Sequence, residues 1–386
     1  MGIIPGMRET NTSSGRRKFL ATLGTVAGVG LAGCSGGGNS GGSGGDSDGD
    51  SSDDSNTATA TATPTATTTE VPYPEGDHTM IVPYATGGGF DAYARITAPF
   101  LEEELPGNPN FVVENVTGGG GVRGVTQAFN TDPDGTTLTI WDAYQAASQQ
   151  IGRDVPFDVS EMSILGALTQ SPNALIAMND AEVNSFSDFV DRVGDLTFAT
   201  QGVGTISHTA VPMLGELTDL FSADDPNFVH YGGTGPALSG LERGEADLFM
   251  VGTSTSGAKV VSALDSTMVV CFADESEEQA QPFTDIAQQF LGDIDGVETL
   301  ETYADLTTFR RFVAGPPGVP ESVLSTQQEA FQSIISSEER LGTYDERGRP
   351  IINPGDNAQV EDVLERLFGT LGDDPYSGIL SGIFEE

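Results

Sequence analysis

Four glycine-rich segments, each between an apolar run and a helical pattern, constrain the fold of this chain most strongly. They are residues 86–91 (TGGGFD), 117–121 (TGGGG), 200–208 (TQGVGTISH) and 231–236 (YGGTGP). Short apolar runs that alternate with helical patterns are typical of parallel strands joined by crossover helices. The sequence therefore predicts an α/β protein in which the glycine segments connect strands to helices.

The element boundaries follow from the periodicity of the apolar residues. Strands are predicted at 79–84, 111–114, 137–141, 174–178, 196–200, 228–231, 247–251 and 268–272. Helices are predicted at 91–105, 124–130, 185–193, 207–220, 236–244, 254–264, 320–336 and 357–371. A globular part that extends from about residue 77 to residue 386 is large for one hydrophobic core, which predicts two lobes.

The N-terminal segment predicts where the protein works. Arg16 and Arg17 precede an apolar run of signal-peptide length that ends at Cys34, an order typical of a twin-arginine export signal followed by a lipobox. We expect residues 1–33 to be removed and Cys34 to carry the lipid, so that the chain is anchored to the outer face of the cell membrane. The alternative is an uncleaved N-terminal helix in which Cys34 is only a small residue.

Residues 34–74 are predicted to form a disordered tether. Gly, Ser, Asp, Thr and Ala dominate this segment, and such a composition cannot bury a core. Its Thr-rich half resembles an O-glycosylated stalk. A tether of this kind lets a globular body reach a partner embedded in the same membrane.

The charge balance is strongly acidic, with 16 Lys+Arg against 57 Asp+Glu and a net charge of −41. Binding to nucleic acid or to anionic lipid by charge needs clustered Lys and Arg, which this sequence lacks. Acidic side chains at this density keep a protein soluble where high salt screens their repulsion, so we interpret them as a halophilic trait. Lys259 is the sole lysine after residue 33.

Few residues are available for a metal site or a disulfide. The chain has 2 cysteines and 3 histidines. With Cys34 lipidated, no disulfide can form within one mature chain, and Cys271 is predicted to be a buried strand residue. We therefore expect neither a metal nor a cofactor.

The glycine segments are candidates for binding an anion. Glycine lets backbone N–H groups approach a ligand, and the first N–H groups of the following helix have no intrahelical acceptor. Each segment alone is better explained as a tight turn, but four of them at the carboxyl ends of strands favour a ligand cleft. A G-x-G-x-x-G spacing at 119–124 lacks an acidic ribose partner, so it does not predict a dinucleotide site.

The polar side chains of these segments each allow more than one role. Asp91 either caps a helix or holds a water or an amine of the ligand, and His208 is either a capped surface residue or a donor to a carboxylate. The hydroxyls of Thr205, Ser207 and Thr234 are better placed to bond a ligand than to act as nucleophiles. Ser207 and His208 are adjacent and point in different directions on a helix, so a hydrolytic triad is not supported.

The same segments, taken in order, resemble a known family. Residues 81–95 (IVPYATGGGFDAYAR), 112–121 and 132–138 look like the first three signatures of the Bug family, the extracytoplasmic solute receptors of tripartite tricarboxylate transporters. Residues 198–208, 231–247 and 314–320 continue the resemblance. It covers most of residues 78–370, and with the N-terminal signal it resembles a haloarchaeal-type lipoprotein of that family.

The resemblance implies a type 2 periplasmic-binding-protein fold, an α/β fold with two lobes joined by crossing strands and a ligand cleft between them. It implies lobe 1 at residues 75–177 plus 312–386 and lobe 2 at residues 178–311. It also implies a small carboxylate-bearing solute, held by backbone amides and by side chains of the following residues: Gly87, Gly88, Gly89, Phe90, Asp91, Gly204, Thr205, Ser207, His208, Gly233 and Thr234.

Several positions depart from the family pattern. Thr86 replaces the usual proline, Phe90 replaces a small residue, and Gly232 stands where lysine is common. Arg310 and Arg311 fall near a position that is usually aromatic. Phe90 makes the cleft more apolar, and the identity of the solute stays open.

The function that the resemblance implies is that of a receptor, not of an enzyme. The protein would capture the carboxylate and deliver it to the membrane subunits of a transporter by closing its lobes. We expect a monomer that does not bind nucleic acid. The alternatives are an exported hydrolase, which needs a nucleophile with a base or paired carboxylates, and the ligand-binding partner of a membrane sensor.

Overall fold

The apolar runs form two separate β-sheets in the computed structural model, which describes residues 72–272, 281–282 and 294–385. The described residues belong to one compact unit, Thr67–Glu386. The export signal of residues 1–33, Cys34 and the tether up to residue 71 lie outside the described residues. None of the described helices is both long enough and apolar enough to cross a membrane.

The strands and helices alternate through most of the chain. The strands are β1 His78–Val82, β2 Phe111–Asn115, β3 Thr137–Asp142, β4 Ser163–Ser171, β5 Ala174–Met178, β6 Thr197–Thr200, β7 Asn227–His230, β8 Leu248–Val251, β9 Ser266–Cys271, β10 Gln281–Pro282, β11 Phe309–Gly315 and β12 Gly355–Asp356. The helices are α1 Gly89–Glu104, α2 Val122–Phe129, α3 Ala143–Gly152, α4 Phe186–Arg192, α5 Ile206–Thr218, α6 Thr234–Glu242, α7 Ser254–Ala263, α8 Ile294–Thr307, α9 Glu321–Ser336, α10 Glu338–Glu346, α11 Asn357–Leu371 and α12 Tyr376–Glu385. Each predicted element coincides with an observed one, whereas β4, β10, β11, β12, α3, α8, α10 and α12 were not predicted.

Both sheets are mixed rather than largely parallel. The first has the strand order β12-β4-β11-β3-β1-β2, and the second has the order β10-β9-β5-β8-β6-β7. The parallel sets β2-β1-β3 and β7-β6-β8 arise because a helix crosses over between successive strands. β11, β4 and β5 run antiparallel to their neighbours, whereas β9 and β10 are parallel. Parallel pairing therefore accounts for two of the five strand pairings in the first sheet and three of the five in the second.

The chain passes between the two sheets at two neighbouring places. β4 continues into β5 through Pro172 and Asn173 alone, and β11 begins directly after Thr307 and Thr308. The Asn173 side chain donates a hydrogen bond to the Thr307 carbonyl oxygen, with Nδ2 and O 2.8 Å apart. Side-by-side crossings of this kind suit a hinge between two halves, and the lobe boundaries 75–177 plus 312–386 and 178–311 stay a prediction.

Aromatic side chains fill the core beside both sheets. Trp141 and Phe312, on β3 and β11, are fully buried, as are Phe198 and Phe249, on β6 and β8. Burial of each such side chain contributes about 1.5–3 kcal/mol to folding. This packing fixes the ends of the strands and therefore the loops that follow them.

Candidate functional site

A cavity of about 240 Å³ opens between elements of the two sheets. Its wall is formed by α1 and β11 from the first sheet's side and by α6, β8 and α7 from the second sheet's side. Three residues of the predicted ligand site, Gly89, Phe90 and Thr234, line it. Apolar side chains cover much of the remaining wall, namely Leu238, Phe249, Val251, Val260 and Ala263.

Side chains hold the first glycine loop in shape. Gly87 has a φ of +84°, which glycine adopts without strain, and it donates its N–H to Asp91 Oδ2 at 2.8 Å. Asp91 Oδ1 also accepts a hydrogen bond from Arg95 Nε at 2.9 Å. Burial opposes ionisation of Asp91, but Arg95, the Gly87 amide and Asn115 hold its pKa below the usual value. Asp91 therefore shapes the loop, and Gly88 is the N-cap residue of α1.

The first turn of α1 reaches the cavity beside a cation. α1 begins at Gly89 and Phe90, whose N–H groups have no acceptor within the helix. A Cβ atom on Gly89 would lie 3.6 Å from Arg311 Nη2. The helix N-terminus and the guanidinium are thus neighbours, and both favour an anion.

Arg311 is a buried cation on β11. It is 4% exposed, and its Cζ lies 3.9, 4.8 and 4.9 Å from the ring centroids of Tyr93, Phe309 and Phe90. Its Nε and Nη1 atoms have no hydrogen-bond partner among the described residues. Burial lowers the pKa of Arg311 from its ordinary value, but a guanidinium stays charged at neutral pH. The cavity wall therefore holds a charged group with unused donors.

Two further cations, Lys259 and Arg349, line the same cavity. Lys259 is on α7, and its Nζ would lie 3.3 Å from a Cβ atom on Gly348, the residue before Arg349. Burial, and then the charge of Arg349, lower the pKa of Lys259. Within the described ranges, no Asp or Glu oxygen comes within 4.0 Å of a side-chain nitrogen of Lys259, Arg311 or Arg349. A strongly acidic chain thus places three unneutralised cations at one cavity.

In the loop after β6, the side-chain amide of Gln201 lines the cavity, whereas the hydroxyl groups of Thr205 and Ser207 form hydrogen bonds within the loop. Thr205 Oγ1 donates to the Gly202 carbonyl oxygen at 2.7 Å, and Ser207 Oγ accepts the Gln201 N–H at 2.9 Å. Both hydroxyl-bearing residues are fully buried. Gln201 Nε2 donates to Thr234 Oγ1 at 2.6 Å, and these two side chains line the cavity. The structure thus brings Thr234 to the cavity and places Thr205 and Ser207 inside the loop.

His208 lies away from this cavity. Its Nδ1 accepts the Gly204 N–H at 3.1 Å, and its ring packs edge-on against Phe228 and His230, with centroids 4.9 and 4.8 Å apart. Burial, followed by the charges of His230 and Arg153, lowers the pKa of His208 to about 4, so the ring is neutral at pH 7. His208 instead borders a second cavity of about 270 Å³ beside α12.

Glycine allows a loop that follows a strand of the first sheet to meet a loop that follows a strand of the second sheet. Gly120 has a φ of +64°, and a Cβ atom there would lie 2.2 Å from the Val203 carbonyl oxygen. Gln149 Nε2 donates to the carbonyl oxygens of Gly120 and Gly204 at 3.1 and 2.9 Å. One side chain on α3 therefore joins the loop after β2 to the loop after β6.

Gly233 makes a similar approach at the start of α6. It is the N-cap residue of that helix and has a φ of +142°, a region that favours glycine. A Cβ atom on Gly233 would lie 3.4 Å from Ala85 Cβ. The first glycine loop and the loop before Thr234 are therefore in close contact.

Comparison with known proteins identifies the family. The model of the tripartite tricarboxylate transporter family receptor, TctC, matches residues 94–339, which is more than half of the chain. The chain belongs to the TctC family. The predicted relation to the solute receptors of tripartite tricarboxylate transporters is thereby confirmed.

Curated relatives match this TctC-family chain over part of their length. A UPF0065 protein of Agrobacterium vitis is 30% identical over 181 residues, which cover 46% of this chain and 51% of that protein. Protein BugT of Bordetella pertussis is 31% identical over 179 residues, which cover 44% of this chain and 52% of BugT. The chain thus spans about half the length of these relatives.

Solved structures establish the fold. MatC from Rhodopseudomonas palustris with bound malate matches with a TM-score of 0.66 and 19% identity over 80% of this chain and 100% of MatC. The periplasmic binding protein BugD matches with a TM-score of 0.63 and 19% identity over 81% of this chain and 99% of BugD. An R. palustris protein with adipate gives a TM-score of 0.65 and 17% identity over 81% of this chain and 99% of that protein. The predicted periplasmic-binding-protein fold is confirmed.

Sequence reasoning noted Arg311 only as a departure from the family pattern, and it missed three further residues of the cavity wall, Gln201, Lys259 and Arg349. Each lies on a different element, and no local motif links them. The signal that points to two of them is charge. In a chain with a net charge of −41, a lysine or arginine that has no nearby acid is rare enough to suggest an anion.

Proposed function

We propose that this protein is a membrane-anchored extracytoplasmic receptor that captures a small carboxylate-bearing solute and delivers it to a tripartite tricarboxylate transporter. Membership of the TctC family supports the receptor role. The malate bound to MatC and the adipate bound to a second protein of the same fold support a carboxylate as the solute.

The observation that carries the proposal is the buried guanidinium of Arg311. Its Nε and Nη1 have no partner among the described residues, and its Nη2 adjoins Gly89 at the N-terminus of α1. Burying an unpaired charge is costly, and a carboxylate is the group that accepts two N–H donors from one guanidinium. A carboxylate in this place would satisfy Arg311 and accept the first N–H groups of α1.

Closure of the lobes would bring the solute, whose carboxylate binds Arg311, into contact with residues of the second sheet. The amide of Gln201 and the hydroxyl of Thr234 line the opposite wall, so a solute touches both sheets only when the two halves meet. The contact of Gly120 with Val203 and the bonds of Gln149 accompany that closed arrangement. The solute favours the closed form because these contacts are complete only there.

Export and anchoring complete the proposal. We propose that the Arg16-Arg17 signal exports the chain, that Cys34 carries the lipid, and that the acidic surface suits a high-salt surrounding. The expected partners are the solute, the membrane through the lipid and the membrane subunits of the transporter, each bound by a monomer. Replacing Arg16 and Arg17 by lysine should keep the protein in the cytoplasm. Cys34→Ala should release it from the membrane into the medium.

A thermal-shift screen at high salt tests the binding function. Dicarboxylates, tricarboxylates, aromatic acids and amino acids are compared on the wild type, on Arg311→Gln and on Arg123→Gln, which changes an exposed arginine outside the cavity. We expect a carboxylate to raise the melting temperature of the wild type and of Arg123→Gln but not of Arg311→Gln. Chemical turnover of the stabilising compound would instead identify an enzyme.

The salt dependence of binding provides a second test. Because the chain is so acidic, long-range repulsion opposes an anion, and salt screens that repulsion more than it screens the buried donors. Affinity for the carboxylate should therefore rise with KCl. A steep fall in affinity while the fold stays intact would contradict local capture by Arg311 and α1.

A further inference from the structure

We propose that Lys259 and Arg349 form a second anion subsite in the same cavity, which selects solutes that carry two separated negative charges on an apolar body. This inference rests on the proposed function, because Arg311 and the N-terminus of α1 bind the first carboxylate. Lys259 and Arg349 would then decide between organic dianions and monoanions of the same size.

The three cations follow one another along the cavity wall. Arg311 lies over the ring of Tyr93, with Cζ 3.9 Å from the centroid. Tyr93 Oη donates to the Pro350 carbonyl oxygen at 2.6 Å, which fixes the segment that carries Arg349. Lys259 Nζ approaches Gly348, on the other side of Arg349. The backbone of Arg349 therefore lies between Tyr93, which packs on Arg311, and the amine of Lys259.

Lys259 and Arg349 have donors that the described protein does not use. The Nε atom of Arg349 is buried and has no hydrogen-bond partner in the described residues, and neither side chain is paired with a described carboxylate. Burial lowers the pKa of Lys259, and the neighbouring positive charge of Arg349 lowers it further, so the two charges repel each other. An anion between them would relieve that repulsion and accept the free donors.

The part of the cavity near these cations also has an apolar surface. Val260 and Ala263 on α7 line it together with Leu238 and Phe249. A chain of methylene groups or an aromatic ring would cover this surface while its two ends meet the two subsites. A monocarboxylate of the same body would leave Lys259 and Arg349 without an anion and would lack the charge-assisted hydrogen bonds that a second carboxylate makes.

Calorimetry with matched ligands at high salt tests the second subsite. Adipate and hexanoate share a six-carbon body and differ in the number of carboxylates, and the same holds for terephthalate and benzoate on an aromatic ring. We expect the wild type to bind the better dicarboxylate at least about tenfold more tightly than its monocarboxylate. Lys259→Gln and Arg349→Gln should each reduce that ratio about tenfold, whereas Lys259→Arg and Arg123→Gln should preserve it.

Amine labelling gives a readout that a purely structural role would not change. Lys259 is the sole lysine after residue 33, so its modification by an amine-reactive ester can be followed on one peptide by mass spectrometry. A saturating dicarboxylate should slow the labelling of Lys259 about tenfold or more, and a saturating monocarboxylate should not. Unfolding curves of each variant verify that it is folded.

The outcomes separate the two proposals. An unchanged ratio in both Lys259→Gln and Arg349→Gln, or equal labelling of Lys259 with either ligand, would overturn the second subsite and leave the receptor function standing. A wild type that binds neither member of either pair, nor any acid of the thermal-shift screen, would overturn the receptor function and the second subsite together.

Discussion

Replacing Arg311 by methionine should separate ligand binding from stability. The substitution removes a buried charge and keeps a long side chain with apolar character. Burying the guanidinium costs several kcal/mol, and three aromatic contacts at about 1–2 kcal/mol each return most of that cost. We therefore expect the free energy of unfolding to change by about 2 kcal/mol or less, in either direction.

Arg311→Met should reduce the affinity for a carboxylate much more than it changes the free energy of unfolding. A hydrogen bond to a charged group contributes about 1.5–3 kcal/mol, and Arg311 Nη2 lies beside Gly89 at the N-terminus of α1. Loss of the guanidinium, with its charge and its hydrogen bonds to the solute, should weaken carboxylate binding by about 100-fold or more. Urea unfolding gives the first quantity and calorimetry with the best carboxylate gives the second.

The neighbouring Arg310 supplies a matched control on the same strand. Its Nη2 pairs with Asp305 Oδ1 at 2.9 Å, and its Nη1 donates to the Asp305 carbonyl oxygen at the same distance. Arg310→Met should therefore reduce the free energy of unfolding by about 2–4 kcal/mol and leave carboxylate affinity unchanged. If Arg311→Met were instead the variant that loses more than about 4 kcal/mol of stability and keeps its affinity, Arg311 would be a structural residue and the reasoning would fail.

Three further substitutions test other parts of the account. Burial raises the pKa of Asp142 to about 6, so the folded state binds this proton more tightly and the wild type loses stability as pH rises from about 4 to 6. In urea unfolding, the stability difference between wild type and Asp142→Asn should shrink by about 3 kcal/mol across that window, and a constant difference would contradict the raised pKa. Burial lowers the pKa of His208 to about 4, so its contribution is complete above about pH 6.5 and is lost as pH falls towards 4. His208→Gln should flatten this dependence and keep carboxylate affinity within about twofold, whereas loss of affinity would place His208 in the site. Gly120→Ala adds a Cβ atom 2.2 Å from the Val203 carbonyl oxygen and should weaken carboxylate binding about tenfold. Gly119→Ala is the control. Gly119 has a similar φ of +58°, but an added Cβ atom there would have Val122 Cβ as its nearest neighbour, at 3.5 Å. Equal loss of affinity in both variants would assign the effect to backbone strain.

The parallel parts of the fold were predictable because their signals are local. Apolar runs such as 196–200 and 247–251 end at glycine or polar segments, and a helical pattern follows each of them after a short loop. β4 and β11 were missed because their residues carry a different pattern. β4 contains Gly166 with a φ of +152°, and its pairing with β11 shifts register between Arg311 and Phe312. Arg310 and Arg311 also make β11 look polar, although both side chains are buried by distant elements.

The candidate site was predictable only where glycine marks a strand-to-helix junction. Gly89, Phe90 and Thr234 lie at such junctions and line the cavity. Sequence alone does not decide whether a polar side chain bonds a ligand or its own loop, and Thr205 and Ser207 bond their loop. Lys259 and Arg349 meet only through tertiary packing, so their proximity has no signature in local spacing.

The hydrogen bonds that Asp91, Thr205 and Ser207 make within their own loops have a practical consequence. These bonds do not involve a solute, so the loops keep their shape whichever acid the cavity holds. Lys259 and Arg349 stand outside these bonds and can be exchanged without disturbing the loops. A biosensor for a different acid is therefore best built by varying these two side chains and retaining the glycine loops unchanged.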